Sequence, residues 1–432
     1  MSHFRLARIS LILAAIGLTA APVLHAADPK PAAEAPKPET VRPEMFKLIE
    51  TNAIKELITA KKFTEVQDRI NQAAALPNIT PFETFILDNT RLRLAQATNN
   101  GPELIKATEA MIASGRLQPA DKQNFIIAQA STYYNTLKNY PKAIEQIKRY
   151  LAEGGDPEVS RAMLIRSYYL INDNASAIPE LTFVIDRAEK AGKVPQLEDL
   201  KLLSSCYGKL KDYPNYLVVK EKEVKYYPTP EAWSDVIHRV MNKPTFNQSL
   251  VLDVLRLLNV ATKTMEPEEY TELVELALKS NLPGEAKKVI DAGYAAGVLG
   301  TGSNAALHKK QRDQAVKSAA DDVKNATANE AAANKSKDGT GLVNLGFAFV
   351  TTDQFDKGIE LMQKGIAKGG LKRPAEARLQ LAEAYAMAGR KDEAIKAFEG
   401  VTEKDGSGDL ARYWIMWLNR PGQTAAAAPA AK

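Results

Sequence analysis

Cysteine is almost missing from this chain. Cys206 is the only one in 432 residues, so no disulfide can form within the molecule, whatever the redox state of its compartment. Between Leu203 and Tyr207 on a helical face, Cys206 reads as a small buried filler. Histidine is scarce too, with four residues, of which only His238 and His308 lie beyond the first 26 positions, far apart from each other. There is no HExxH, GxSxG, CxxC or Walker loop, so the sequence predicts no metal, no cofactor and no catalytic residue. Gly339-Thr340-Gly341, followed by Gly346, faintly resembles a phosphate loop, but no strand precedes it. Carboxylate pairs such as Glu268-Glu269 and Asp321-Asp322 fall on polar helical faces, where solvation is their ordinary role. Two acids could still serve glycoside hydrolysis without any motif. Aromatics make up 7% of the chain, and sustained strand-like alternation is absent. The charge excess is only +5, and Arg5 and Arg8 belong to the leader described next, so nucleic acid is not an expected partner.

The chain opens with Arg5 and Arg8, then an apolar run over 9–18, then small residues to Ala26 and Ala27. This order predicts a secretory signal peptide over 1–26, cut near Ala26 or Ala27. The run is shorter than the ~20 residues of a membrane span, so no stable membrane insertion is expected once the leader is removed. The expected location is the periplasm. Residues 27–43 are rich in Pro, Ala and charge and read as an extended linker. At the other end, 421–432 is an Ala/Pro-rich tail that should be disordered.

Between these ends one pattern recurs. In 375–406, Leu381, Ala382 and Tyr385 mark one face of a first helix, and Ala394, Phe398 and Val401 mark one face of a second. A turn at Gly389-Arg390-Lys391 separates them. Another copy has Ile127, Ala130, Ser131, Tyr134, Ala143 and Ile147. The next carries Arg161, Leu164, Ile165, Tyr168, Ala177 and Leu181, each 34 residues further on. Looser copies cover 44–76, 80–114, 196–227, 230–262, 267–297 and 339–370. The copy at 230–262 has an apolar second helix over 250–260.

The pattern resembles the tetratricopeptide repeat (TPR), whose W-x2-L-G-x2-Y…A-x3-F signature spans a helix–turn–helix of about 34 residues. Arg378 stands in the Trp slot of the copy at 375–406. The resemblance implies an all-α fold, an α-solenoid in which hairpins stack as a right-handed superhelix. A lone hairpin of this size cannot bury its apolar faces, so each should lean on its neighbours in a row, and the row should supply an extended docking trough. The expected parts are a large solenoid over 44–300, a connector over 301–338, and a C-terminal repeat pair with a capping helix over 339–420. The connector lacks Gly and Pro between Gly302 and Gly339 and has few large apolar residues, namely Leu307, Val316 and Val323. It reads as one long helix or a degenerate hairpin, and as a weakly packed joint between the two parts. The final helix, 409–420, holds Tyr413, Trp414 and Trp417. It is either a cap folded onto the last hairpin or an exposed aromatic docking patch.

The family likeness implies a non-catalytic adaptor whose groove holds protein or peptide segments. With the leader, it points to partners in the bacterial cell envelope. First-helix residues off the apolar face are the candidates: Thr132, Asn135, Arg166, Tyr169, Lys201, Ser205, His238 and Asn242. Arg166 and Lys201 suit a carboxylate or acidic segment, and Tyr169 suits an apolar side chain. The alternative is an accessory that engages cell-wall glycan or another envelope polymer for a separate enzyme. That reading leads one to expect a catalytic module after the helices, and the sequence shows none.

Overall fold

The computed structural model describes residues 39–263 and 265–420. The leader at 1–26, most of the linker and the tail at 421–432 lie outside the described residues. Within them the chain is all α, and no strand occurs. It divides into two compact units between Phe183 and Val184.

The first unit is a row of hairpins. Its opening copy has a first helix broken into α1 (Pro43–Ile49) and α2 (Thr51–Thr59), because Glu50 leaves the helix and accepts hydrogen bonds from the Asn52 and Ala53 amides. α3 (Phe63–Ala74) completes that hairpin. Then come α4 (Pro81–Ala97) with α5 (Gly101–Ala113), and α6 (Pro119–Asn135) with α7 (Tyr140–Ala152). The last pair is α8 (Pro157–Leu170) and α9 (Asn174–Lys190), the latter running past the boundary.

Two sequence habits fix these hairpins. The first helices α4, α6 and α8 each begin on proline, whose preset φ suits the first turn and whose missing amide costs nothing there. Each turn inside a hairpin then passes through one left-handed residue: Lys61, Asn99, Lys138 or Asn172. That single reversal lets the second helix fold back antiparallel, as in the closing motifs of other helices. Packing follows the repeat positions, with Ile127, Ala130, Ala143, Ile147, Ala177 and Leu181 all buried. Glu109 of α5 ties neighbouring repeats, accepting from Gln129 of α6 at 3.1 Å and Arg149 of α7 at 2.9 Å.

The second unit starts in the same way. Its hairpins are α10 (Leu197–Lys209) with α11 (Tyr213–Tyr226), α12 (Pro230–Met241) with α13 (Val251–Thr262), and α14 (Pro267–Lys279) with α15 (Pro283–Ala295). Next, α16 (Ala305–Lys335) is one helix of 31 residues, about 46 Å long at 1.5 Å per residue. This decides between the long helix and the degenerate hairpin. Its burial rests on His308, Ala315 and Ala333, whereas Leu307, Val316 and Val323 are exposed. The thin apolar stripe therefore does not dock. The His308 ring accepts the Gly300 amide at 3.1 Å, a structural job at the head of the helix. The final helices are α17 (Thr340–Thr351) with α18 (Phe355–Lys368), α19 (Pro374–Met387) with α20 (Lys391–Glu399), and α21 (Ser407–Leu418). Gly346, part of the faint phosphate-loop pattern, is a packing residue. A Cβ there would fall 2.5 Å from the Gly358 carbonyl oxygen, so α17 and α18 touch backbone to backbone.

The connector at 301–338 was expected to separate a large part from a small one. The contact boundary lies instead within α9, and α16 packs against α15 and α17 inside the second unit.

The row in the second unit is also not open. α13 has seven consecutive buried residues from Leu252 to Leu258, so it is enclosed on every side. Seven successive residues cover every side of a helix, Asp253 and Arg256 among them, so this stretch of α13 has no solvent face and its neighbours wrap it. α21 returns to pack on α12 and α13 as well as on α19 and α20. Lys243 pairs with Asp409 at 2.6 Å, Thr245 donates to the Lys404 carbonyl at 2.8 Å, and the Asn247 amide donates to the Asp405 carbonyl at 2.8 Å. Glu221 of α11 accepts from Arg412 and Tyr413, each at 2.9 Å. One continuous apolar core runs from Val224 to Leu418. The row of nearest neighbours thus persists through the second unit, and α21 closes it by returning onto α12 and α13.

Candidate protein-binding face

The expected groove residues fall into two sets, one in each unit. Thr132 and Asn135 lie on α6, Arg166 and Tyr169 on α8, and these two first helices pack side by side as well as against their own hairpin partners. That adjacency of first helices is what builds a continuous face across repeats.

The residues on it differ in what they can offer. Thr132 is buried and its hydroxyl donates to the Ala128 carbonyl at 2.8 Å, so it is part of the packing and not of a docking surface. Asn135 is exposed, with its amide nitrogen bonded to the Ser131 hydroxyl at 3.0 Å. Arg166 and Tyr169 are half-buried. Around them α8 leaves Val159 and Leu170 about half exposed, at 51% and 46%, with Ala162 also in solvent. The period of this set is helical, so cation, aromatic and aliphatic groups share one stripe. Sequence reasoning missed Val159 and Leu170 because it reserved apolar residues for the core; their phase, off the buried Leu164, Ile165 and Tyr168, was the available signal.

In the second unit, Lys201 is exposed on α10 and Ser205 is half-buried one turn later. His238 of α12 is engaged already. One ring nitrogen meets Glu269 of α14 at 2.8 Å and the other faces the Ser234 carbonyl at 2.7 Å, so His238 joins two repeats and does not stand ready for a partner. Asn242 is exposed as the C-cap of α12.

The C-terminal aromatics settle similarly. Tyr413 and Trp414 are buried, at 0% and 3% exposure, and Trp414 stacks on Phe398 with ring centroids 5.7 Å apart. Trp417 is half-buried beneath the Arg420 guanidinium, 3.8 Å from its ring centre. The aromatic run is therefore a cap folded onto the last hairpin, and the exposed docking patch is corrected. Burial pushes the Tyr413 hydroxyl up, and the nearby Glu221 charge adds to it.

At the centre of the second unit lies a charge cluster that the sequence did not reveal. Arg256 of α13 donates to both oxygens of Glu285, at 2.7 and 2.8 Å, and to Asp253 at 2.6 Å. Its guanidinium also lies over the Phe347 ring, 4.5 Å from the centroid, and 3.7 Å from Glu383. Burial works against the Arg256 charge, but the carboxylates of Glu285, Asp253 and Glu383 outweigh it and raise its pKa. Burial lifts Asp253 to about 6, against the pull of Arg256. It lifts Glu383 well above the usual carboxylate range, with the negative charge of Asp253 adding to the effect. Three buried acids share one buried base, and such sets hold only while the pairing is complete.

Among the described residues, no group of three His, Cys, Asp or Glu side chains is placed to hold a metal ion, and no helix is long and apolar enough to cross a membrane.

No protein-family model matches the chain, and no curated protein matches it. Solved structures with some similarity include the TPR2AB-domain:pHSP90 complex of yeast Sti1. That match is 12% identical, covers 69% of this chain and 98% of that one, and has a TM-score of 0.23. The TPR domain of P58(IPK) is 12% identical over 87% of this chain and 100% of that one, with a TM-score of 0.20. Naa15/Naa10 bound to HypK is 12% identical over 88% of this chain and 69% of that one, with a TM-score of 0.24. Scores this low bear no weight. The description as a solenoid of TPR-like hairpins rests on the helix order, turns and packing given above.

Proposed function

We propose that the chain is a non-catalytic interaction scaffold that holds protein or peptide segments, and that it is exported to work in the bacterial cell envelope. The observation that carries the first part is the α6–α8 face of the first unit, where Asn135, Arg166, Tyr169, Val159 and Leu170 put polar, cationic, aromatic and aliphatic groups on adjoining first helices. A segment with one acidic group flanked by apolar side chains suits that mixture. The leader-like start, with Arg5 and Arg8 before an apolar run, supports export.

The test uses the full-length chain with a photo-crosslinking residue at Ala162 or, as control, at Lys148 on α7. A partner captured from envelope extract at Ala162 and not at Lys148 is then purified, and its affinity is measured with and without Arg166→Glu. The expected result is a protein partner bound at least about tenfold more weakly by the variant, the scale of one lost charge-assisted contact. Capture from both faces alike, or an affinity unchanged by Arg166→Glu, overturns the assignment of the face. Recovery of glycan without protein overturns the scaffold itself. N-terminal sequencing of the exported protein checks the leader, with a start near Asp28 expected.

A further inference from the structure

Within the second unit, α13, α14, α17 and α19 enclose a cavity of about 360 Å³, inside the usual range for small-molecule sites. Its lining is sorted by depth. Asp253, 1% exposed, stands on the wall with Glu376, whose side chain is 16% exposed. Arg373 and Lys372, both exposed, stand at the rim. Leu252 and Phe347 give part of the wall an apolar surface.

Three features narrow the occupant. First, Arg256 serves two carboxylates at close range, Asp253 at 2.6 Å and Glu285 at 2.7 Å, while Glu383 lies farther off at 3.7 Å and is pushed toward its neutral form by burial, so one buried negative charge is left in excess. A positive group entering beside Asp253 relieves that excess, and at such depth a charge pair is weakly screened. Second, Asp253 accepts from Arg256 at 2.6 Å, while Glu376 holds Ser249 at 2.9 Å and Arg373 at 3.1 Å, so both carboxylates are already set to accept from donors. Third, Arg373 at the rim already pairs with Glu376 at 3.1 Å, so a ligand carrying one group of each sign can take the place of that pair, whereas a simple amine or a simple anion would break it and compensate only one side. A purely anionic ligand is also repelled by Asp253.

We propose that this cavity binds a small zwitterion, an α-amino acid or short peptide, with its ammonium against Asp253 and Glu376 and its carboxylate against Arg373 and Lys372. The site is independent of the α6–α8 face. Leu252 and Phe347 leave room for an apolar side chain, and the volume sets the upper size near that of a dipeptide.

The experiment is calorimetric titration of the full-length chain with free L-amino acids, dipeptides and tripeptides at millimolar concentrations. Each hit is repeated as its N-acetyl and its C-amide derivative. Glu376→Gln and Arg373→Ala are the paired variants; both positions keep solvent access, and tryptophan fluorescence checks that each has folded. A zwitterion that binds, loses about tenfold or more with either blocked end, and loses a similar factor with either variant supports the proposal. Preference for single amino acids over peptides names the free amino acid as the class, and the reverse names a peptide. No binding by any of the panel overturns the proposal. So does a hit that tolerates N-acetylation, or one that folded Glu376→Gln and Arg373→Ala both bind unchanged.

Discussion

Replacing Arg256 with Met would remove the one buried cation from among three buried carboxylates while keeping an apolar chain over Phe347. Four contacts vanish: two to Glu285, one to Asp253 and the longer approach to Glu383. Deleting one partner of a buried pair typically costs about 3–5 kcal/mol, since the remaining charge is left without compensation. Against the usual ~5–15 kcal/mol of a folded domain, that is a large fraction. The cost should also depend on pH. The folded-state pKa of Asp253, about 6, lies above its ordinary 3.8. The folded state therefore binds more protons than the unfolded one in that window. The contribution of this group is fully present below 3.8 and is lost as pH rises through 6. Without Arg256, Asp253 and Glu383 would shift further upward, so the variant should lose most at pH 8 and less at pH 5. The chain reports this cleanly, because its three tryptophans, Trp233, Trp414 and Trp417, all belong to the second unit. Urea unfolding followed by tryptophan emission reads that unit alone. A loss below about 1 kcal/mol at pH 8 would refute the reasoning, as would a deficit no smaller at pH 5.

Three further outcomes follow from particular contacts. Lys138 sits at φ 50° in the α6–α7 turn, and left-handed backbone costs an L-residue about 1–2 kcal/mol, so Lys138→Gly should stabilise the first unit by about 0.5–1 kcal/mol after the entropy of glycine is counted; a lowered midpoint in circular dichroism would contradict this. Gly358→Ala would set a methyl 2.5 Å from the Gly346 carbonyl oxygen and push α17 from α18, with an expected loss of about 1–3 kcal/mol by tryptophan emission. Glu83 is held at about 2 by the Arg42 side chain and by the amides of Thr80 and Arg42, below its usual 4.5. Its contribution is present above 4.5 and is lost as pH falls toward 2, so Glu83→Gln should weaken protection of α4 amides at pH 7 in hydrogen exchange, and the difference should shrink with acidification.

Local order was legible in the sequence wherever it depended on neighbours. The phase of Ile127, Ala130 and Ala143, repeated at Arg161, Leu164 and Ala177, placed α6 to α9 correctly, and the absence of Gly and Pro before Gly339 allowed a continuous α16 while leaving a degenerate hairpin open. Closure of the second unit was not legible, since it depends on groups such as Glu221 and Tyr413 that no local period connects. The apolar residues of 250–260 were a partial sign, but Asp253 and Arg256 gave that helix what reads in sequence as a polar side, and only the fold shows both buried. The candidate face shows the same limit. Phase could name Arg166 and Tyr169, but it could not tell that Thr132 bonds its own helix or that Glu269 already holds His238.

The return of α21 to α11, α12 and α13 has a consequence for the order in which the chain can close. Each hairpin of the first unit meets its neighbours soon after it emerges, whereas Lys243 must wait for Asp409 and Glu221 for Arg412. At a synthesis rate of about 5–20 residues per second, that delay is roughly 8–40 s, during which the greasy 251–262 segment lacks its final cover. Among the described residues, the second half thus depends on its last helix for closure, and a chain cut before residue 407 would leave 251–262 without that cover.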